Sequence, residues 1–347
     1  MKLLLEWYKK NRRDLPWRNT YNPYLIWISE IILQQTRVKQ GIGYYQKFVE
    51  RYPTINKLAN APIDDVLLLW QGLGYYSRAR NMMHCARTII DKYNGRFPEE
   101  FNELKKLKGI GDYTAAAIAS IAFNKATPAV DGNIFRVLSR YYEISEPIDT
   151  SKGRKLVFSI ADKLLNKKNP GMHNQAIMEL GAIICLPKNP LCDECPVSYA
   201  CLSYKNNSQR EYPVKRNKVK VQVKYLYFVI INMRGLTFIL KRNGKGIWQG
   251  LYQFPVYESH KEIPEGHYQG VMSQIGISDM DGLVVKKISK EITHKLSHRT
   301  LKARFIHIEP APTDKILFNK YLKVPIKDIS SFALPRLITR YLEDTPL

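Results

Sequence analysis

The chain has 347 residues, of which 54 are lysine or arginine and 31 are aspartate or glutamate, so its formal net charge is +23. A charge of this size drives binding to polyanions, and the 22 tyrosines among the charges could stack on bases, which favours a nucleic-acid-binding protein of two or three domains. The composition argues against two classes, because an odd count of five cysteines does not suit a disulfide framework and no apolar run approaches the roughly 20 residues of a membrane span.

The N-terminal segment MKLLLEWYKK has only three consecutive leucines before Glu6, which is too short an apolar run for a signal peptide. It is predicted to form an amphipathic helix instead. We therefore expect a soluble, cytoplasmic protein, associated with the nucleoid if the source is bacterial.

The first two hundred residues show apolar residues at helical spacing, for example Ala79, Met82, Met83, Ala86 and Ile90. Proline and glycine mark short loops between these stretches. The pattern predicts an all-helical domain.

Two carboxyl groups of this domain have unlike surroundings. Glu30 has apolar neighbours in IWISEIILQQT, so burial should raise its pKa and keep it protonated, as a general acid requires. Asp131 precedes GNIFRVLSR at a predicted helix N-terminus, where backbone N–H groups should keep it ionised. One neutral and one charged carboxyl can break a glycosidic bond. The alternatives are a plain helix cap for Asp131 and a solvent-facing or arginine-paired side chain for Glu30.

Between these carboxyls lies LKGIGDYTAAAIASIAF, in which Gly109 and Gly111 precede a helix of small residues. This is the pattern of a helix-hairpin-helix, whose exposed backbone N–H groups grip a DNA phosphate. An ordinary turn between helices is the alternative.

A short stretch then carries four cysteines with the spacing C-x6-C-x2-C-x5-C, namely Cys185, Cys192, Cys195 and Cys201. Four thiolates so close in sequence can hold one metal centre. Zinc is the competing metal, but four-cysteine zinc sites usually have two close pairs, and here only Cys192 and Cys195 form one.

The composition changes near residue 205. Residues 205–222 are polar and basic and are predicted to form a linker. The strand patterns VKYLYFVII, LTFILKR and RTLKARFIHI follow, and a last helix is predicted to begin near Pro335. These elements predict a smaller α+β domain.

LKGIGDYTAAAIASIAF, then PAVDGN, then the cysteine stretch resemble the helix-hairpin-helix DNA glycosylase superfamily with a four-iron four-sulfur cluster. SEIILQQT, LPWR and GLGYYSRAR narrow the resemblance to adenine DNA glycosylases of the MutY type. It covers residues 1 to about 202 and, more loosely, the rest.

The resemblance implies a multidomain fold, in which an all-α glycosylase with an iron–sulfur cluster precedes a smaller α+β Nudix-like domain. The implied boundaries are 1–204 for the helical domain, 205–222 for the linker and 223–347 for the Nudix-like domain. Within the helical domain, a six-helix barrel part covers about 20–130, and the cluster part covers 1–19 and 131–204.

The resemblance also assigns roles at the reacting bond. Glu30 matches the acid that protonates adenine at N7, and Asp131 matches the carboxylate that stabilises, or briefly bonds to, the sugar C1′. Tyr113 matches the residue that orients this aspartate, and Asn133 matches another partner of the site. Relatives resembling endonuclease III carry a Schiff-base lysine at the position of Tyr113, so an enzyme with tyrosine is expected to leave the strand uncut.

Excision from a duplex requires the adenine to be flipped out of the stack. Gln35 and Tyr75 match the positions that wedge beside the orphaned partner base, and Arg18 and Gln175 match positions that line the adenine pocket. Lys108 stands where proline is common in the hairpin and could add a phosphate contact.

In the last third, GIWQGLYQFPV and HKLSHRTL resemble the C-terminal domain of the MutY type. Its sequence shows no Nudix box, so no pyrophosphohydrolase activity is expected. Ser297 and His298 match the residues that read 8-oxoguanine. Leu296 replaces the usual phenylalanine, which keeps hydrophobic support but removes an aromatic contact.

Together these matches imply a monofunctional, monomeric adenine DNA glycosylase of base excision repair that holds a [4Fe-4S] cluster. Its partner is double-stranded DNA with adenine opposite 8-oxoguanine or, less well, guanine. Two other classes are a bifunctional glycosylase and lyase for oxidised pyrimidines, and a catalytically silent iron–sulfur DNA-binding or scaffold protein.

Overall fold

A computed structural model of the protein describes residues 2–216, 221–264, 266–276, 284–309 and 321–347. The chain divides into two compact units. We call Met1–Ala61 with Asn81–Asn217 the helical unit, and Pro62–Arg80 with Lys218–Leu347 the sheet unit. The boundaries drawn from the resemblance stay predictions, and residues 217–220 of the predicted linker lie outside the described residues.

Helices form the first two hundred residues, as the apolar spacing predicts. They are α1 (Lys2–Asn11), α2 (Pro23–Leu33), α3 (Val38–Arg51), α4 (Ile55–Ala59), α5 (Ile63–Leu69), α6 (Ser77–Tyr93), α7 (Phe101–Lys106), α8 (Asp112–Phe123), α9 (Gly132–Tyr141), α10 (Ser151–Leu164), α11 (Pro170–Ile183) and α12 (Leu202–Lys205). Across the described ranges, every helix is too short or too polar to cross a membrane.

Two glycines of α11 allow close packing around the candidate site. A Cβ on Gly171 would lie 2.7 Å from the carbonyl oxygen of Ser120 in α8, and a Cβ on Gly181 would lie 2.5 Å from the Cβ of Asn133 in α9. Both distances are far below ordinary contact, so α11 approaches its neighbours this closely because it has no side chain there.

Residues 205–216 belong to the helical unit and are bonded to the rest of it. The Arg140 guanidinium donates to the carbonyl oxygens of Gln209 at 2.9 Å and Tyr212 at 3.2 Å, and the Ile148 amide donates to the Val214 carbonyl at 3.0 Å. The described part of the predicted linker is therefore held in place by backbone acceptors.

In its described residues, the sheet unit contains two sheets and two further α-helices. The strands are β1 (Gln222–Ile231), β2 (Leu236–Lys241), β3 (Tyr252–Gln253), β4 (Val256–Ser259), β5 (Val284–Ile288), β6 (Ile292–Lys295), β7 (Arg299–Glu309) and β8 (Leu322–Pro325), and the helices are α13 (Gln269–Gln274) and α14 (Arg336–Asp344). One sheet has the order β4-β1-β7-β5, with β6 also paired to β7, and the other has the order β3-β2-β8. Strands β1 and β7 are parallel, with Gln222 opposite Arg299, and the other pairs are antiparallel.

Both faces of the larger sheet are covered. Tyr227 and Val229 of β1 belong to one buried cluster with Val271 of α13. On β7, Phe305 stacks on Tyr341 of α14, with ring centroids 3.8 Å apart. A sheet between helices explains the long apolar run of β1. The fold-class prediction is confirmed.

The α5 segment packs with the sheet unit. Asp64 accepts hydrogen bonds from Lys241 at 2.5 Å and from the Tyr252 hydroxyl at 3.1 Å, and Gln71 accepts one from the Leu334 amide at 2.8 Å. The helical pattern of the sequence gave no sign of these long-range contacts, which join residues far apart in the chain.

Candidate active site

A cavity of about 480 Å³ lies among α2, α8, α9 and α11 of the helical unit. The predicted site residues that line it are Arg18, Glu30, Gln35, Tyr113, Asp131, Asn133 and Gln175. Residues separated by up to 157 positions in the sequence therefore line one cavity. Glu30 and Asp131 are both among them.

Glu30 lies in the last turns of α2, which begins after the Asn22 cap with Pro23 at its first position. Its neighbours Ile26 and Trp27 are almost fully buried, while the cavity leaves the Glu30 side chain partly accessible. Burial raises the pKa of Glu30 to about 7, the Asp131 charge adds to this, and a hydrogen bond with Tyr113 opposes it. A carboxyl group with such a pKa is about half protonated at neutral pH and largely protonated about one pH unit below it.

Asp131 caps α9, and both of its oxygens have a donor. The Ile134 amide donates to Oδ1 at 2.8 Å, and Asn133 Nδ2 donates to Oδ2 at 2.6 Å. Burial nevertheless raises the pKa of Asp131 above its ordinary value, against the lowering effect of these bonds. The predicted helix cap is present, but Asp131 is more deeply buried than the sequence pattern indicated, and this burial raises its pKa.

Asn133 is itself fixed. Arg136 Nη2 donates to Asn133 Oδ1 at 2.9 Å and to the Gly181 carbonyl at 2.7 Å. With its oxygen occupied, the Asn133 amide nitrogen faces Asp131 as a donor.

Tyr113, on α8, interacts with both carboxyl groups. It forms a hydrogen bond with Glu30, and its hydroxyl lies 3.3 Å from the Met178 sulfur. Burial raises its pKa well above 10, and the charges of Glu30 and Asp131 act in the same direction. Tyr113 is therefore a neutral phenol that can donate. Among the described residues that line the cavity, none is a lysine.

Glu179 on α11 was not among the predicted site residues, yet it lines the same cavity and is fully buried. Arg13 donates to both of its oxygens, at 2.9 and 2.7 Å, and Arg18 Nη2 donates at 2.5 Å. Burial alone would raise the pKa of Glu179, but these hydrogen bonds outweigh it and hold that pKa at about 2. The sequence signal was an acidic residue on an apolar helix, one turn after Gln175.

Gln175 is oriented by Tyr8, whose hydroxyl donates to Oε1 at 2.6 Å. Because Oε1 is used, the Nε2 group is the end that can donate to a ligand.

The predicted hairpin and the Gln35 wedge carry left-handed backbone. Gly109 has φ +87°, and a Cβ there would lie 2.8 Å from the Asn81 Cβ, so glycine is needed. Gly111 is the residue before α8, and Lys108 is exposed. Gln35 is exposed with φ +59°, which is uncommon for a residue other than glycine and occurs often at functional sites.

The remaining predicted residues lie in the sheet unit. Tyr75 also has left-handed backbone, with φ +47°, and is half exposed. Its hydroxyl forms a short hydrogen bond with the Ser297 hydroxyl. Ser297 and His298 are exposed in the turn between β6 and β7, where the Leu296 amide donates to the Arg299 carbonyl at 2.7 Å.

Cys185, Cys192, Cys195 and Cys201 are free thiols that line one apolar recess of the helical unit. Arg140 Nη1 donates to the Cys185 sulfur at 3.4 Å. In the ranges described above, no three cysteine, histidine or acidic side chains are close enough to hold one metal ion. Four thiols that line one recess are the donor set that a thiolate-bound metal cluster takes.

Comparison with known proteins is consistent with this geometry. Residues 28–164 match the family model for the HhH-GPD superfamily of base excision DNA repair proteins, and residues 226–344 match a NUDIX domain model.

Similar proteins include two adenine DNA glycosylases of Buchnera aphidicola. One, from the subspecies Baizongia pistaciae, is 41% identical over 86% of this chain and 82% of its own length. Another, from the subspecies Schizaphis graminum, is 35% identical over 98% of this chain and 97% of its own length. Among solved structures, a non-covalent endonuclease III–DNA complex aligns with a TM-score of 0.51 and 26% identity, over 59% of this chain and 95% of that one.

Proposed function

Because this chain belongs to the adenine DNA glycosylases of base excision repair, we propose that it removes adenine paired with 8-oxoguanine and, more slowly, adenine paired with guanine. The observation that carries the proposal is the pair of Glu30 and Asp131 in one cavity, together with Tyr113, whose pKa both of them raise. The pair supplies a neutral acid and a hydrogen-bonded carboxylate on one sugar–base bond.

The proposed chemistry divides between the two carboxyl groups. Glu30, with a pKa of about 7, gives its proton to N7 of the flipped adenine, so the base leaves as a neutral molecule. Asp131, held by Asn133 and the Ile134 amide, faces the positive charge that develops on the sugar. Water then adds at C1′ and gives a proton to the Glu30 carboxylate, which restores the acid and leaves an abasic site.

The pocket has polar groups suited to adenine. Gln175 Nε2 can donate to a ring nitrogen of the base. The Glu179 carboxylate stays ionised and is already bonded to Arg13 and Arg18, so it holds Arg18 at the wall of the cavity.

We further propose that the enzyme does not cut the strand. A β-lyase step through a Schiff base needs an amine at the sugar, and the described cavity lining offers a phenol, Tyr113, instead of a lysine. The phenol at this position favours the hypothesis of a monofunctional glycosylase over that of a bifunctional glycosylase and lyase for oxidised pyrimidines. The intact Glu30 and Asp131 disfavour a silent binder.

The four cysteines are proposed to hold a [4Fe-4S] cluster through their sulfurs. When bound, such a cluster ties the chain from α11 to α12 together and places a charged group beside Arg140. Iron and acid-labile sulfide analysis checks this: about four of each per chain are expected. Stoichiometric zinc would contradict it.

DNA contacts are proposed at Lys108, Gly109 and Gly111, whose backbone N–H groups and charge suit a phosphate. Gln35 and Tyr75 are proposed to fill the space of the flipped base and press on its partner. Their left-handed backbone projects exposed side chains from tight turns.

Reading of 8-oxoguanine is proposed for Ser297 and His298, supported by Leu296. The bond between Ser297 and Tyr75 joins the reading turn to the wedge. We expect Ser297→Ala combined with His298→Ala to lower the ratio of excision rates, 8-oxoguanine partner over guanine partner, by about tenfold, which corresponds to about 1.4 kcal/mol.

The measurement is single-turnover excision from two duplexes that differ only in the partner base. Lys323→Ala, elsewhere in the sheet unit, is the control and should keep the parent ratio. An unchanged ratio in the double variant would place lesion reading elsewhere in the chain.

A further inference from the structure

Residues 246–250 form an unusual loop in the sheet unit, which we call the bridging loop. Three of its residues have left-handed backbone: Gly246 with φ +136°, Trp248 with φ +62° and Gly250 with φ +84°. Trp248 is a bulky residue in this region, and its side chain is 9% exposed. Such a conformation is uncommon for a residue other than glycine and persists only where its surroundings hold it.

One side of the bridging loop receives the segment that carries Tyr75. Arg80 Nη1 donates to the Gln249 carbonyl at 2.5 Å, and Nη2 donates to the Gln249 side chain at 3.3 Å. A Cβ on Gly250 would lie 3.2 Å from Leu67 and 3.7 Å from the Arg80 side chain, so the two segments are in close contact.

The hydrogen bonds from Arg80 are suited to hold Gln249 at a fixed place relative to the segment that carries Tyr75. Burial lowers the pKa of Arg80, yet arginine stays charged at neutral pH, so the group bonding the Gln249 carbonyl is a cation. A charged donor on a partly buried carbonyl is stronger than a neutral hydrogen bond. It is also directional, because the guanidinium is a rigid planar fork.

The other side of the bridging loop contacts the reading turn. The Trp248 ring lies 6.4 Å, centroid to centroid, from the ring of His294 in β6. His294 is three residues before Ser297, and β6 pairs with β7 through Lys295 opposite Thr300. The turn that presents Ser297 is therefore short and closed, so its position follows that of β6.

In addition to these two contacts of the bridging loop, the Tyr75 hydroxyl forms a hydrogen bond with the Ser297 hydroxyl. The turn that carries Tyr75 is stabilised by hydrogen bonds of its own, since Arg78 donates to the carbonyls of Leu73 at 3.2 Å and Gly74 at 3.1 Å. Gln71, at the start of the turn, accepts from the Leu334 amide. The turn is thus rigid within itself, and its placement relative to Ser297 depends on what Arg80 and the α5 segment contact.

We propose that the bridging loop sets the distance between Tyr75 and Ser297, and that Arg80 and Trp248 are positioning residues for discrimination of 8-oxoguanine from guanine. This inference rests on the proposed reading role of Ser297. The loop itself touches neither base. It holds Tyr75 and Ser297 at a fixed separation, so that one partner base can contact both side chains at once.

The test uses Arg80→Gln and Trp248→Leu, with Arg80→Lys as the conservative variant. Arg87→Gln is the matched control, because Arg87 lies on the same helix α6 and donates instead to the Ala59 carbonyl at 3.1 Å. Single-turnover excision is measured on the duplexes with 8-oxoguanine and with guanine opposite adenine, and the unfolding midpoint of each variant is measured beside it.

We expect Arg80→Gln and Trp248→Leu to lower the ratio of the two rates by about tenfold, chiefly through the 8-oxoguanine duplex. Arg80→Lys should recover part of the ratio, and Arg87→Gln should keep it. Equal slowing on both duplexes would make the loop merely structural and overturn the inference. So would an unchanged ratio in both variants when Ser297→Ala does lower it. If Ser297→Ala also leaves the ratio unchanged, the proposed reading role is what fails.

Discussion

Glu30→Gln is expected to lower the single-turnover rate of adenine excision by about 100- to 10,000-fold, the range that a general acid contributes. The amide has the shape of the protonated carboxyl group but cannot give up a proton to the leaving base. Because Glu30 lies in the base cavity rather than on the hairpin, binding of the duplex should stay near the parent affinity. Glu50→Gln, on the exposed face of α3, is the control and should react at the parent rate.

The pH profile gives a second readout of Glu30. Excision needs the protonated acid, so the rate should be highest below the pKa of about 7 and should fall about tenfold per pH unit above it. Asp131 must be ionised, and burial raises its pKa, so an acid limb should appear as the pH drops through that raised value. In Glu30→Gln the alkaline limb should disappear. A Glu30→Gln variant with the parent rate and profile would remove Glu30 from the chemistry.

Asp131→Asn is expected to lower excision by at least about 100-fold, as is typical when a group aimed at developing charge is lost. Asparagine can still accept from the Ile134 amide, which keeps the cap of α9. Its amide nitrogen would replace Oδ2 and face the Asn133 amide nitrogen, donor against donor, so a modest fall in the unfolding midpoint is expected. What is lost is the negative charge facing the sugar. The rates of chemistry and the duplex affinity are measured separately.

The matched control for this variant is Asp162→Asn, an exposed aspartate on α10, which should behave as the parent does. If Asp131→Asn turned over normally, the carboxylate would be only a helix cap, which is the alternative that the sequence left open. If it lost duplex affinity as well as rate, a structural role would explain the loss.

Part of this site could be predicted because its signals are local. The apolar neighbours of Glu30 and the position of Asp131 before a helix are both visible in a few residues of sequence. The strand pattern of β1 and β7 likewise follows from runs of apolar residues, which here are buried against helices on both faces.

Other features could not be predicted because they depend on residues far apart. The pKa of Glu179 falls only because Arg13 and Arg18, more than 160 positions earlier, converge on it. The placement of α5 and Tyr75 with the C-terminal sheets depends on contacts such as Asp64 with Lys241. The raised pKa of Asp131 required the depth of the cavity, which a helix-cap pattern does not reveal.

The most direct test of the central claim uses an end-labelled duplex with adenine opposite 8-oxoguanine, incubated with the purified protein and analysed with and without hot alkali. We predict that the labelled strand is cleaved only after alkali, because the enzyme removes the base and leaves an abasic site. Cleavage without alkali would contradict the monofunctional role assigned to Tyr113, and tight binding without any cleavage would contradict the assignment of Glu30 and Asp131 to catalysis.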